Sequence, residues 1–244
     1  MDLGDFVFGG TILVRAFPAP DWLAGPLLPE TILSASGCLC ASVPDTWAIR
    51  WAWPSEAERL EQAAAFGLTA DQLEALTSWT DAAWDDHRLR WPSVLSSPDV
   101  ARDLAEQFLA DQADLHILGL GLPLEHVERF SVAPTGQCEG GTCCSVGSPG
   151  VYETLSLRQR LPEGGRILGY EILAYLNDAP PPCSWLCNSL HGPAAEALGI
   201  TPNAAGFIES HAEAQAAADF CNRDDVPSEP AFWAPWAIVE YPLR

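Results

Sequence analysis

Eight cysteines are the residues whose type and spacing most directly suggest chemistry. Thiolates bind soft metals such as zinc, and paired thiols support redox reactions. They occur as Cys38-x-Cys40, Cys138-x4-Cys143-Cys144, Cys183-x3-Cys187 and the single Cys221. The middle group lies in a loop, GQCEGGTCCSVG, that could wrap a zinc ion but lacks the CxxC pair of a zinc ribbon. Buried, unreactive thiols are the alternative to both kinds of chemistry.

A second possible ligand group follows a proline run. Cys183, Cys187 and His191 fall at i, i+4 and i+8, so a continuous helix would place them on one face. Eight residues of helix span about 12 Å, so one ion could bind all three only if the helix ended near Ser189. The hypothesis that follows is a zinc-binding or thiol-redox protein. Its candidate ligands are Cys138, Cys143, Cys144, Cys183 and Cys187.

The five histidines lie in different settings, and none accompanies a serine elbow or an HExxH helix. His116 lies on a predicted strand, which is typical of a core histidine. The sequence GLGLP resembles a phosphate-binding turn, but Gly119-x-Gly121 lacks the third glycine and Pro123 follows. The sequence carries no catalytic or cofactor signature and favours a non-enzymatic function. A hydrolase without a local motif is the alternative.

Net charge is the most extreme property of the chain. There are 12 arginines and no lysine against 33 acidic residues, which gives a formal charge of −21. The missing lysine is typical of a GC-rich bacterial genome. The charge opposes binding to nucleic acid or to an anionic membrane, and it favours a basic partner. Solubility or a halophilic setting would produce the same charge.

The charge is concentrated between residues 55 and 115, where 13 acids and 4 arginines give −9. Three solvated helix faces would account for this composition. The alternative is an acidic surface that docks a basic protein. Its candidate residues are Asp81, Asp85, Asp86, Asp99, Asp103 and Glu106.

Periodicity and capping signals predict the elements that carry these residues. Strands are predicted at Asp5–Phe17, Thr31–Ala41, Thr46–Trp53, Leu115–Leu122, Ile167–Leu176 and Ala237–Tyr241. The segment Tyr152–Leu161 is predicted as a strand or a short helix. Helices are predicted to begin after Ser55, Thr69, Ser97 and Ser210, and a short one ends at Gly199.

The stretch from Gly165 to Leu190 holds the strongest strand signal. Its apolar run favours a strand buried on both faces in the middle of a sheet. We expect the prolines at 180–182 to end this strand in a turn. A short helical piece at 184–188 should then return two thiols toward it.

These elements predict an α+β fold, with one compact domain over residues 1–244 and a mixed, mainly antiparallel sheet covered by helices. No run of about 18 apolar residues occurs, which argues against a membrane span. The first residues lack the basic start of a signal peptide, so we expect a cytoplasmic protein.

The C-terminal third carries a resemblance. The order GYEILAY, SWLCNSL, LGITPNAAGFIESHAEAQAAADF and PAFWAPWAIVEYPL, between Gly169 and Leu243, resembles bacterial cytoplasmic proteins of the toxin-immunity type. The resemblance implies an inhibitor that neutralises a basic partner such as a toxin domain. It covers neither the acidic segment nor the upstream cysteines, and it carries over no site residue.

Overall fold

The computed structural model describes residues 3–23, 27–36, 39, 41–42, 56–90, 94–111, 113–131, 151–176, 179–228 and 231–243. Its strands are β1 (Phe6–Arg15), β2 (Phe17–Pro18), β3 (Thr31–Ile32), β4 (Ala41–Ser42), β5 (Leu89–Arg90), β6 (Val94–Leu95), β7 (Leu115–Pro123), β8 (Arg166–Leu176), β9 (Ala179–Ser184) and β10 (Trp233–Tyr241). Its α-helices are α1 (Glu56–Ala65), α2 (Ala70–Asp85), α3 (Pro98–Phe108), α4 (Val127–Ser131), α5 (Val151–Ser156), α6 (His191–Leu198) and α7 (His211–Cys221).

One curled sheet organises these elements. Its strand order is β5-β6-β1-β7-β10-β8-β9, and β4 also pairs with β1. Every strand pairing among the described residues is antiparallel. The long apolar strands β1, β7, β10 and β8 are adjacent, so their backbones are hydrogen-bonded on both sides. The predicted α+β class and the buried position of β8 are confirmed.

Both faces of the sheet are covered, which explains why its central strands are apolar at nearly every position. On β10, Val239 and Tyr241 pack in the cluster that holds the buried faces of α2, α3 and α7. Trp236 and Ile238 point into the second cluster, beneath Val127 of α4 and Leu155 of α5.

No helix in the described part of the chain is long and apolar enough to cross a membrane.

Local capping signals place the helix ends. Thr69 and Gln72 form the predicted reciprocal capping box at the start of α2. Ser97 caps α3, with Pro98 at its first position. Gly199 ends α6 in the left-handed conformation. Ser210 caps α7 by accepting the backbone N–H of Glu213, as the spacing predicts.

Four predictions about individual elements need comment. The prolines at 180–182 do not form a turn but lie in β9, which pairs with β8 at the edge of the sheet. An edge strand tolerates proline because only one side of it must supply ladder hydrogen bonds. Within the predicted strand over Thr31–Ala41, Thr31–Ile32 form β3, residues 33–36 are not strand, and Ala41 begins β4. Residues 37, 38 and 40 lie outside the described part of the chain. The predicted strand over Thr46–Trp53 lies outside the described residues, and the segment left open at 152–161 begins in helix α5.

Candidate functional site

The six predicted acids lie on α2, on α3 and in the turn after α2. The inner faces of both helices pack on the sheet, so the acids are on the outer face. All are exposed except Asp81, which is half-buried. Asp99, Asp103 and Glu106 follow helical spacing along one side of α3. Asp99 forms an ion pair with Arg102 on the same helix.

The turn after α2 approaches α3 through Arg88. One terminal nitrogen of Arg88 lies 3.6 Å from Asp86 and the other lies 3.9 Å from Asp103. Both ion pairs are long and partly exposed, so each contributes at most about 1 kcal/mol. Arg88 therefore links Asp86, in the turn after α2, to Asp103 on α3.

Trp79 lies at the centre of the same surface. The Arg88 guanidinium carbon is 5.2 Å from the centroid of the Trp79 ring, which is within cation–π range. The Trp79 indole donates a 3.4 Å hydrogen bond to Asp103 and meets Phe108 edge to face. The helical spacing of Leu73, Leu76, Trp79 and Ala83 predicts that Trp79 lies on the buried side of α2, but the residue is only half-buried. We call Trp79, Asp85, Asp86, Arg88, Asp103 and Glu106 the acidic face.

The cysteines that the structure describes do not form a metal site. Cys183 lies on β9, Cys187 in the turn after it, and His191 at the start of α6. The continuous helix considered for these three residues does not form, because the prolines at 180–182 extend the edge strand through Cys183. Among the described residues, no three His, Cys, Asp or Glu side chains could hold a metal ion together. Cys138, Cys143 and Cys144 lie outside the described residues.

Glu171 is a fully buried carboxylate on β8 that belongs to none of the motifs described above. Ser34 donates to it at 2.6 Å, the backbone N–H of Ala35 donates at 2.7 Å, and Ser184 provides a further hydrogen bond. Burial raises the pKa of Glu171, and these hydrogen bonds oppose the rise only in part. The carboxylate therefore joins the segment 33–36, β8 and the end of β9. A single Glu inside an otherwise apolar strand was the available signal for this role.

The cluster around Glu171 continues to a thiol. The Ser36 hydroxyl lies 3.1 Å from the sulfur of Cys187, and the backbone N–H of Ser36 donates to the Ser34 hydroxyl. Ser34 and Ser36 are buried, whereas Cys187 is half-buried. A hydroxyl is a weak hydrogen-bond partner and carries no charge that would stabilise a thiolate. The arrangement is a structural attachment of segment 33–36 to the turn after β9.

A groove lies at the end of the sheet where β7 and β8 begin and β10 ends. On these three adjacent strands, Glu240 accepts a 2.8 Å hydrogen bond from Nδ1 of His116 and a 2.6 Å hydrogen bond from Arg166. Burial alone would raise the pKa of Glu240, but the two donors outweigh burial and lower it. The groove has a volume of about 410 Å³. We call it the β7–β10 groove; it is lined by Leu115, His116, Gly164, Arg166, Glu240, Tyr241, Pro242 and Leu243.

The His116–Glu240 pair has the geometry by which a carboxylate orients a histidine for proton transfer. None of the described residues that line the groove is a serine, threonine or cysteine. Covalent catalysis by the nucleophiles of common hydrolases therefore finds no support here. His116, which was predicted to be a core histidine, is half-buried and faces this groove.

Two other histidines are held without a hydrogen bond at one buried ring nitrogen, Nδ1 of His191 and Nε2 of His211, among the described residues. His211 packs edge to face on Tyr170 and Phe6. Burial lowers the pKa of both histidines, and for His211 the neighbouring His126 and the N-terminus lower it further while Glu125 opposes. Both rings therefore bind a proton less readily in the folded protein than in the unfolded chain.

These lowered values predict loss of stability in mild acid. In the unfolded chain these two histidines bind protons as the pH falls below their ordinary pKa of 6.5, whereas in the folded protein they bind protons less readily. The free energy of unfolding therefore falls as the pH drops through this range. Urea unfolding at pH 7.5 and 5.5 measures the difference. In His211→Asn that difference should shrink, and contributions from carboxylates cancel in the comparison. An unchanged pH dependence would show that burial of His211 does not couple folding to protons.

Comparison with known proteins adds no identification. No protein-family model matches the sequence, no curated protein matches it, and no solved structure matches the fold.

Proposed function

We propose that this chain is a cytoplasmic binding protein of the immunity or inhibitor type, which neutralises a basic protein partner through its acidic face. The observation that carries the proposal is the convergence of Asp86 and Asp103 around Trp79, from two elements on the outer side of the sheet. The formal charge of −21 supports the same reading, because it steers a basic partner toward the protein over long range.

The composition of the acidic face matches what a protein interface needs. Tryptophan and arginine are enriched among residues that dominate binding energy, and exposed carboxylates around them accelerate association. Trp79 supplies a half-buried aromatic plane, and Arg88 already rests on it as a partner's arginine would. Asp85 and Glu106 are exposed beside this centre and have no ion pair among the described residues.

Charge reversal at the acidic face tests the proposal. We expect the triple variant Asp85→Lys, Asp103→Lys and Glu106→Lys to bind a nine-residue arginine peptide at least 10-fold more slowly, because the attraction during encounter is lost. Stopped-flow fluorescence of the labelled peptide measures the association rate at 50 and 200 mM salt. The variant should also show the weaker dependence on salt.

A matched variant separates position from total charge. Glu30, Glu196 and Glu209 are exposed and lie away from α2 and α3 in the sequence. Their replacement by lysine changes the net charge by the same amount. Equal slowing by the two triple variants would mean that overall charge, and not the acidic face, attracts the peptide. That result would remove the acidic face from the proposed function.

The zinc-binding or thiol-redox alternative stays a prediction, since three of its five cysteines lie outside the described residues. Within the described part of the chain, the hydrolase alternative has the His116–Glu240 pair in its favour.

A further inference from the structure

The β7–β10 groove combines one apolar side with two polar side chains that have unused hydrogen-bonding groups. Arg166 uses one nitrogen to hold Glu240 and makes no other hydrogen bond to the described residues, and its side chain is 75% exposed. His116 donates Nδ1–H to Glu240, so Nε2 remains available for a second contact. Leu115 and Leu243 provide the apolar side.

We propose that the β7–β10 groove binds a small monocarboxylate that carries a short apolar chain. The guanidinium of Arg166 presents planar N–H groups that match a carboxylate. Leu115, Pro242 and Leu243 would cover the chain. A volume of about 410 Å³ suits a small ligand, because binding clefts for small molecules range from roughly 300 to 1,000 Å³.

The charges in the groove do not repel this ligand class. The charges of Arg166 and Glu240 cancel, since the carboxylate is held ionised by its two donors. A carboxylate ligand therefore meets a neutral ion pair, and the guanidinium nitrogens that do not hold Glu240 are left to receive it.

The groove is maintained by contacts that a ligand would not disturb. The Tyr241 hydroxyl donates to the carbonyl of Pro162 at 3.0 Å, and Arg102 of α3 donates to the carbonyl of Pro242 at 2.9 Å. These bonds hold the end of β10 against the segment before β8 and against α3. The site is therefore preorganised, and ordering its walls adds little cost to binding.

Titration with hexanoate tests the inference. The measurement is made in 0.15 M salt, where exposed charges more than about 8 Å apart are largely screened. We expect saturable binding with Kd on the order of 1 mM, a value typical of such a small ligand, and a shift of the His116 ring resonances. Hexanol and acetate should each bind at least 10-fold more weakly, because one lacks the carboxylate and the other the chain. Acetate or inorganic phosphate binding as well as hexanoate would overturn the apolar part of the proposal.

Variants identify the groups responsible. Arg166→Met should weaken hexanoate binding at least 10-fold, and Arg166→Lys should restore part of the lost affinity. The control Arg158→Met should leave the affinity for hexanoate unchanged, because Arg158 is an exposed arginine outside the groove. Leu243→Ala should weaken hexanoate but not acetate. Thermal unfolding confirms that each variant is folded. Hexanoate binding that is absent, or equal in wild type and Arg166→Met, would refute the site. Neither outcome affects the acidic face, which the arginine peptide tests separately.

Discussion

Replacing Glu171 with alanine should lower the free energy of unfolding by roughly 3–4 kcal/mol. The substitution leaves the backbone N–H of Ala35 and the hydroxyls of Ser34 and Ser184 without their acceptor in a buried site, and each stranded donor costs about 1–3 kcal/mol. The hydroxyls can rotate toward other acceptors, so the three costs do not add in full. Urea unfolding followed by tryptophan fluorescence measures the change.

Two further variants show whether the hydrogen bonds cause the loss. Glu171→Gln retains the side-chain volume and one acceptor oxygen, so it should be milder than alanine. Glu209→Ala removes an exposed carboxylate and should change stability by less than about 0.5 kcal/mol. If Glu171→Ala and Glu209→Ala were equally mild, the buried carboxylate would not be what joins segment 33–36 to β8.

Gly169→Ala is expected to be comparably severe, with a loss of roughly 3 kcal/mol or more. Gly169 has a φ of +145°, and an added Cβ would lie 2.7 Å from the carbonyl oxygen of Ile208 and 2.8 Å from Cβ of Phe207. Backbone strain at such an angle costs about 1–3 kcal/mol before the contact with Ile208 is relieved. Relief would separate Ile208 from Tyr170, whose backbone groups exchange hydrogen bonds of 2.7 and 2.9 Å.

The control for this variant is Gly199→Ala. Gly199 also has a positive φ, +70°, but no heavy atom beyond its chain neighbours lies within 4 Å of the added Cβ. Only the left-handed conformation is penalised there, by about 1–2 kcal/mol. Equal losses in the two alanine variants would mean that the segment around Ile208 moves aside without cost and does not anchor β8.

Local features of this protein could be predicted from its sequence because their causes are local. The capping box of Thr69 and Gln72 lies within one helical turn, and so does the pairing of Ser97 with the first turn of α3. The apolar run that becomes β8 requires burial on both faces whatever its neighbours are. The acids of α2 and α3 could be placed on the outer faces of their helices, because helical spacing separates them from the apolar residues that pack on the sheet.

The sequence was misleading where an element depends on its neighbours. Prolines normally interrupt a sheet, so the residues at 180–182 predicted a turn; only the place of β9 at the edge makes them acceptable in a strand. As a consequence, the continuous helix considered for Cys183, Cys187 and His191 does not form. Trp79 follows the buried period of α2, yet the residue is only half-buried, and its ring contacts Arg88 and Phe108 of α3.

Sequence patterns alone account for the α+β class, the central apolar strands and the helix starts, because hydrophobic period and capping act over a few residues. The strongly negative charge follows from composition. Which polar groups meet depends instead on the three-dimensional fold. Ser34 and Glu171 are 137 positions apart, His116 and Glu240 are 124 apart, and Arg166 and Glu240 are 74 apart. Such pairs depend on strand order and register, which place distant residues on adjacent strands and which no local pattern encodes.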